Sequence, residues 1–160
     1  PLSAPLLSLP SPAHSKQPAE PLTRENVESA FAALRFELQD DNGGVAYMQR
    51  KINDQDWGAV LEFTKTYDLV LRKQKWARAK QFLTNNAEKE VATLAGNAAT
   101  FDLIGINRAC RPNQENQDLA NKYLNELRTD LKTMIDMQKT IQYDGFEQYM
   151  NEVKTSAPGR

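Results

Sequence analysis

The 160-residue sequence is poor in the residues on which common catalytic and metal sites depend. It contains one cysteine, Cys110, and one histidine, His14, which excludes an internal disulfide and a multi-histidine or cysteine–histidine metal site. We expect Cys110 to be a structural thiol and His14 to be solvated, because neither has a partner that would activate it. Glycine-rich phosphate loops and the HExxH and GxSxG motifs are also missing. The sequence therefore predicts a protein that is not an enzyme and that binds no cofactor or metal.

An excess of one charge and a long apolar run are missing as well. The 20 Lys and Arg residues nearly balance the 21 Asp and Glu residues, for a net charge of -1, whereas proteins that wrap nucleic acid carry a basic excess. No stretch approaches the roughly 18 consecutive apolar residues of a membrane span. We therefore expect neither bulk nucleic-acid binding nor a spanning segment, and we expect no stable homo-oligomer.

Proline is almost absent after the first 21 residues, since only Pro112 and Pro158 of the 8 prolines lie beyond them. This divides the chain into a Pro-rich N-terminal arm (1–22), a helical body (23–155) and a frayed tail (156–160). Prolines every few positions exclude a helix or an inner strand, so the arm is expected to be disordered or extended in a polyproline II conformation. A passive leader and a docking arm are both compatible with this composition. The first residue is Pro rather than Met, and we expect a processed or trimmed chain.

The body has apolar residues at helical spacing in four long stretches and one short one. Thr23, the segment 53–56 and either Asn113 or Asn116 are the expected N-caps, and Asn85 with Asn86 marks the break before the third stretch. The expected buried positions are Val27, Ala30, Phe31, Leu34 and Leu38; then Trp57, Val60, Leu61, Thr64, Tyr67 and Leu71; then Val91, Leu94, Ala95, Ala98, Phe101 and Gly105; then Ala120, Tyr123, Leu124, Leu127, Leu131, Met134 and Ile135. Phe146, Tyr149, Met150 and Val153 indicate the short last helix.

These stretches predict an all-α fold, an up-and-down antiparallel four-helix bundle with a short extra C-terminal helix. The second long helix should reach about Phe82 or Leu83, and Trp57 should lie against the core. The Gly43–Gly44 pair either kinks the first helix or ends it in a loop, and the spacing does not decide between the two.

One segment is strongly basic. Residues 72–80, which we call the basic segment, carry five positive charges around Trp76: Arg72, Lys73, Lys75, Arg78 and Lys80. Cations near a helix C-terminus can simply complement the helix dipole and stay solvated. A basic segment with an interleaved Trp can instead dock an acidic protein surface, anionic lipid or nucleic acid, and the near-neutral net charge favours the protein surface.

The acidic pairs of the sequence lie at expected helix ends, where capping and dipole matching explain them. Asp40 with Asp41, Asp54 with Asp56, and Glu88 with Glu90 are the clearest. A carboxylate-based enzyme site is the remaining catalytic alternative, and it would need three or more carboxylates facing the core.

Three runs near the second helix are similar to a known family. They are Val45–Ile52 (VAYMQRKI), Asp54–Val60 (DQDWGAV) and Leu71-Arg72, and further along Asn121–Tyr123 and Thr129–Lys132 follow the same pattern. Together they resemble the PsbQ family, the extrinsic lumenal proteins of photosystem II that are also called oxygen-evolving enhancer protein 3. The Gly43–Gly44 break and the extra C-terminal segment suggest an algal or otherwise divergent branch of that family.

The resemblance implies a non-catalytic subunit in the chloroplast thylakoid lumen, peripheral to the thylakoid membrane. Its expected partners are the lumenal surface of the photosystem II core and other extrinsic subunits, and its expected role is to support oxygen evolution by helping to retain calcium and chloride. We predict docking through Arg72, Lys73, Lys75, Arg78 and Lys80 together with Pro5, Pro10 and Pro12 of the arm. The alternative is a generic helical adaptor that binds an anionic partner, nucleic acid or a membrane surface, through residues 72–80.

Overall fold

The computed structural model describes residues 19–143 and 145–156, and these form helices and turns without a strand. The prediction of an all-helical protein is therefore confirmed for this part of the chain. The helices are α1 (Arg24–Gln39), α2 (Gly44–Asn53), α3 (Trp57–Asp68), a π-helix (Leu69–Trp76), α4 (Ala77–Lys80), α5 (Asn86–Ala109), α6 (Gln117–Asp136), a 3-10 turn (Met137–Thr140) and α7 (Gly145–Ser156).

The long helices begin where the sequence places their caps. The Oγ1 of Thr23 accepts from the backbone N–H of Asn26 at 3.1 Å, and Asp56 and Asn85 cap α3 and α5 in the same way. Of the two candidates for the last long helix, Asn116 is the cap of α6, while Asn113 adopts a left-handed φ of 64° in the preceding turn. Local hydrogen-bonding chemistry thus fixes the starts of these helices.

The glycine pair ends the first helix rather than kinking it. α1 stops at Gln39, and α2 starts at Gly44 after a short turn. Neither glycine has a positive φ. A Cβ at Gly44 would lie 2.2 Å from the Tyr67 hydroxyl oxygen, and a Cβ at Gly43 would lie 2.2 Å from the Phe36 carbonyl oxygen. Glycine is needed here for close packing and not for a left-handed turn.

A single hydrophobic core lies among these helices, and the apolar stripes of α1, α3 and α6 face it as predicted. α5 and α6 run antiparallel: Asn116 donates to the Ala109 carbonyl where one ends and the other begins, and Thr140 donates to Glu88 at 2.7 Å at the opposite end. Trp57 is half-buried against the core, as expected. The core side chains are Val27, Phe31, Leu34, Met48, Ile52, Val60, Leu71, Ala99, Leu103, Ile106, Leu124, Leu127, Leu131 and Met134.

The predicted buried face of α5 is partly wrong. Phe101 is 70% exposed and Leu94 is 61% exposed, and Val91 also faces solvent. The buried positions follow a neighbouring stripe: Ala92, Ala95, Ala99, Leu103 and Ile106. α5 turns its small residues toward the core because only small side chains leave room for the bulky side chains of the neighbouring helices.

Two glycines make that close approach visible. A Cβ at Gly105 would lie 2.6 Å from the Tyr123 ring of α6, and a Cβ at Gly96 would lie 3.0 Å from the Trp76 indole nitrogen. The lack of a side chain at Gly96 and Gly105 therefore lets these neighbours lie against the backbone of α5.

The second long helix changes its winding in the basic segment. The chain is helical from Trp57 to Lys80, slightly shorter than predicted, and Leu69–Trp76 is a π-helix. The wider turn keeps Leu71 and Trp76, five residues apart, on the same buried side. In a regular α-helix that spacing would turn Trp76 away from the core. π-helical turns occur frequently at functional sites.

The short C-terminal helix is present as α7, where Tyr149 and Met150 are exposed to solvent. No helix within residues 19–143 and 145–156 combines the length and the apolar character that crossing a membrane requires.

Candidate functional site

The basic segment spans the π-helix and α4, and its five cations differ in their surroundings. Lys73 is exposed, and the other four are half-buried. Two of the five form ion pairs with other described residues, and within residues 19–143 and 145–156 the other three do not. The sequence alone suggested a uniform basic face, but the five cations do not form one.

Lys75 belongs to a buried polar network. Its ammonium donates to Oε1 of Glu37 at 2.5 Å, and Glu37 is only 5% exposed. Oε2 of Glu37 accepts from the Tyr67 hydroxyl at 2.6 Å and from the Gly44 backbone N–H at 2.8 Å. Lys75 thus neutralises the Glu37 carboxylate, whose burial without a partner would destabilise the folded protein.

The network has clear consequences for proton binding. Burial alone would raise the pKa of Glu37, but the donors Lys75, Tyr67 and Gly44 outweigh burial and hold that pKa below its usual value. Burial and the neighbouring Glu37 charge raise the pKa of Tyr67. Glu37 is therefore a fixed anion and Tyr67 a fixed donor.

Arg78 connects the basic segment to the end of the arm. Its Nε and Nη2 donate to the two carboxylate oxygens of Glu20 at 2.9 and 3.0 Å, and Gln81 donates to the same carboxylate at 2.9 Å. The hydrogen bond from Arg78 lowers the pKa of Glu20. Leu22, two residues after Glu20, packs against the core. The chain thus enters the helical body next to the basic segment.

The remaining cations have no carboxylate partner within the described part of the chain. Arg72 donates to the Asn97 side-chain oxygen at 3.3 Å, which is a neutral acceptor. Lys73 and Lys80 form no ion pair with residues 19–143 or 145–156. Arg72, Lys73 and Lys80 therefore supply the uncompensated positive charge of this surface.

The sequence suggested a Trp that docks a partner from within the basic segment. Trp76 is instead buried and does not present its ring to solvent. It is 2% exposed, and its Nε1–H donates to the Ala92 carbonyl at 3.0 Å. Between it and α5 lies a small cleft of about 110 Å³ whose lining includes Arg72 and Lys80.

The predicted docking prolines Pro5, Pro10 and Pro12 lie outside the described residues, as does His14. What the structure gives of the arm is its junction with the body. The Pro21 carbonyl accepts from the Thr23 N–H and from the Asn26 side-chain amide, both at 2.9 Å. The docking role of these prolines remains a prediction.

Two of the runs that resemble the PsbQ family, Val45–Ile52 and Asp54–Val60, meet at the turn from α2 to α3, whereas Leu71-Arg72 lies in the π-helix. Val45–Ile52 lies within α2, and Trp57 is the first residue of α3. Lys51 pairs with Asp56 at 3.4 Å across the turn, and Gln117 of α6 donates to the Ile52 carbonyl at 3.1 Å. The residues of this turn therefore serve the architecture of the body and lie apart from the basic segment.

A buried carboxyl that sequence reasoning missed lies between α5 and α6. Asp102 is 5% exposed, and its Oδ2 has no hydrogen-bond partner among the described residues. Burial, and then the carboxyls of Asp130 and Glu126, raise the pKa of Asp102 to about 8. The sequence signal is an acidic residue within the small apolar stripe of α5.

Asp102 does not form a catalytic cluster that faces the core. Asp130 is half-buried and Glu126 is exposed, so one carboxyl of the three is buried. No group of three or more His, Cys, Asp or Glu side chains suited to a metal occurs within the described ranges. Cys110 is buried, and burial raises its pKa to about 11, as expected for a structural thiol.

Comparison of the chain with family models, with curated proteins and with solved structures finds no match in any of the three.

Proposed function

We propose that this chain is a non-catalytic extrinsic subunit of photosystem II that docks on the lumenal side and supports oxygen evolution. In this proposal it lies in the chloroplast thylakoid lumen, peripheral to the thylakoid membrane. It stabilises the extrinsic assembly and so helps to retain calcium and chloride. Support comes from the resemblance at the turn before Trp57 and from the all-helical fold. We further propose that α1 with α2, α3 with its extension, α5 and α6 are the four rods of an up-and-down bundle.

The observation that carries a docking role is the pairing of Arg78 with Glu20 at 2.9 Å. It brings the start of the body, and hence the end of the arm, to the basic segment. A partner could then contact the arm and the basic segment at the same time. Two linked contacts bind more tightly than either alone when the geometry allows both.

Within the segment, the cations that are free of internal pairs are the ones expected to bind the partner. Lys75 and Arg78 already compensate Glu37 and Glu20. Reversing either charge would disturb the fold of this chain as well as any interface. Arg72, Lys73 and Lys80 are therefore the residues that test the interface without breaking an internal ion pair.

The test is the rebinding of a charge-reversed chain to photosystem II membranes stripped of extrinsic subunits by salt. We expect the triple variant Arg72→Glu, Lys73→Glu and Lys80→Glu to bind roughly tenfold more weakly, because rim charges steer and hold an oppositely charged partner. The salt dependence of its binding should also become flatter.

The matched control changes the net charge by the same amount elsewhere. Lys122, Lys139 and Lys154 are exposed lysines outside the segment. Their reversal to Glu should change rebinding by no more than about twofold. Equal losses in both triples, or none in the first, would remove the basic segment from the interface. Binding of the unmodified chain to anionic vesicles or nucleic acid at physiological salt, without affinity for photosystem II, would favour the generic adaptor.

A further inference from the structure

A cleft between the π-helix and α5 collects two of the three cations without an internal ion pair. Its volume is about 110 Å³, and its lining combines two cations, an indole and small residues: Arg72, Trp76, Ala77, Lys80, Ala92, Thr93 and Gly96. Arg72, Trp76 and Lys80 are spaced four residues apart in the π-helix and α4 and lie on one side of them. That side supplies both cations that line the cleft.

The positive charge of the cleft is not compensated from within the described part of the molecule. Arg72 uses Nη1 to reach the neutral Asn97 oxygen at 3.3 Å, and Lys80 has no ion pair within residues 19–143 and 145–156. The neighbouring Lys75 and Arg78 are both paired with glutamates. Of the cations without a carboxylate partner among the described residues, Arg72 and Lys80 line the cleft and Lys73 does not, and the paired Lys75 and Arg78 do not line it either.

The floor of the cleft is fixed and apolar. Trp76 is anchored through its Nε1–H to the Ala92 carbonyl at 3.0 Å. A Cβ at Gly96 would lie only 3.0 Å from the Arg72 guanidinium and from the indole, so glycine is what lets both lie against α5. A cation beside an apolar wall interacts more strongly with an anion than one in open water, because the local dielectric is lower.

The size of the cleft limits what can enter. At about 110 Å³ the cleft has room for one carboxylate but not for a whole nucleotide or a folded element. A flat anionic membrane would meet the exposed Lys73 before the half-buried Arg72 and Lys80. The dimensions and burial thus favour a single acidic side chain that projects from a protein.

We propose that this cleft binds an acidic side chain of a partner protein, with the carboxylate between Arg72 and Lys80. Arg72 offers a planar fork of donors that matches a carboxylate, and Lys80 supplies a second charge from the same wall of the cleft. This inference rests on the proposed docking function, because it names the partner chemistry that the basic segment recognises.

The experiment is a titration of the full ¹⁵N-labelled chain with a capped five-residue peptide, Ala-Leu-Glu-Leu-Ala, followed by NMR. The Trp76 indole N–H and the Gly96 amide are the reporters, since both lie in the cleft. Both signals should shift in a saturable way, with a dissociation constant of order 1 mM. The same peptide with Gln in place of Glu should leave them in place.

Two variants decide whether the cleft or general charge is responsible. Arg72→Gln with Lys80→Gln should weaken the response to the Glu peptide roughly tenfold or more, whereas the control Lys73→Gln should retain it within about twofold. The amide spectra of both variants show directly whether the fold is intact. An equal response to the Gln peptide, an equal loss in Lys73→Gln, or larger shifts of the same signals with anionic vesicles would each overturn the proposal.

The outcome is separable from that of the proposed function. If the unmodified chain rebinds to photosystem II and the Arg72/Lys80 variant rebinds equally well, the cleft proposal fails and the docking proposal stands. If the Glu peptide saturates the cleft while the chain shows no affinity for photosystem II, the cleft stands and the partner is a different acidic protein.

Discussion

Glu37 and Asp102 are both buried carboxyls, and their surroundings push their protonation in opposite directions. Glu37 accepts hydrogen bonds from Lys75, Tyr67 and the Gly44 amide and stays ionised. Asp102 has an unpartnered oxygen and faces Asp130 of α6, and its pKa is raised to about 8. The folded protein therefore holds a proton on Asp102 at pH values where the unfolded chain has released it.

That difference predicts a pH dependence of stability. Between its ordinary pKa of 3.8 and its folded value of about 8, Asp102 binds a proton only in the folded state, so stability falls as the pH rises through this range. Asp102→Asn mimics the neutral acid and removes this dependence. We expect the Asn variant to be more stable than the native chain, by a margin that grows by roughly 4 kcal/mol between pH 5 and pH 8.

Urea unfolding at a series of pH values measures this effect. Asp41→Asn, an exposed loop position, is the matched control and should follow the native pH profile. A native profile that survives unchanged in Asp102→Asn would show that another group carries the pH dependence.

At the scale of helices, α5 shows how packing overrides simple hydrophobicity. Its large apolar residues Leu94 and Phe101 face solvent, while alanines and glycines face the core. The small residues let the side chains of Trp76 and Tyr123 lie against the backbone of α5. Large side chains at these positions of α5 would hold the two rings further away, so the small residues give the denser packing of the core.

This orientation makes opposite predictions for two neighbouring side chains. Phe101→Ala should change the free energy of unfolding by about 0.5 kcal/mol or less, because the ring is 70% exposed. Leu103→Ala should cost about 2 to 4 kcal/mol, because it leaves a cavity in the core. Chemical denaturation of both variants compares them directly. A larger loss for Phe101→Ala than for Leu103→Ala would mean that the helix is rotated by about a quarter turn.

The elements that sequence predicts well here are those fixed by neighbouring residues. The caps at Thr23, Asp56 and Asn116 and the extra α7 depend on contacts a few positions away. The choice of the buried face of α5 and the formation of the π-helix depend instead on which helix packs against them. The spacing from Leu71 to Trp76 was the available signal of the wider turn, but it becomes readable only once both residues are known to be buried.

The candidate site was likewise predictable from the sequence only in part. Composition located all five cations of the basic segment, but it did not separate the paired ones from the others. That separation depends on Glu37 and Glu20, which lie 38 and 58 residues away in the chain. Asp102 escaped detection because it is a lone acidic residue in an apolar stripe, whereas the acidic pairs at helix ends were conspicuous.

At the scale of the whole molecule, the end of the arm and the basic segment meet at Arg78. The near-neutral net charge of -1 conceals this local concentration of positive charge. Docking through two adjoining features requires both for full affinity, since each contact raises the effective concentration of the other. The arm and the segment should therefore not behave as independent binding sites.

Rebinding to membranes depleted of extrinsic subunits tests the proposed docking on photosystem II. The full chain and a chain lacking residues 1–18, which retains Glu20, are titrated side by side, with oxygen evolution followed at limiting calcium and chloride. We predict saturable binding of the full chain with recovery of oxygen evolution, and binding roughly tenfold weaker or more for the shortened chain. Binding of the full chain that does not saturate and restores no oxygen evolution would contradict the account.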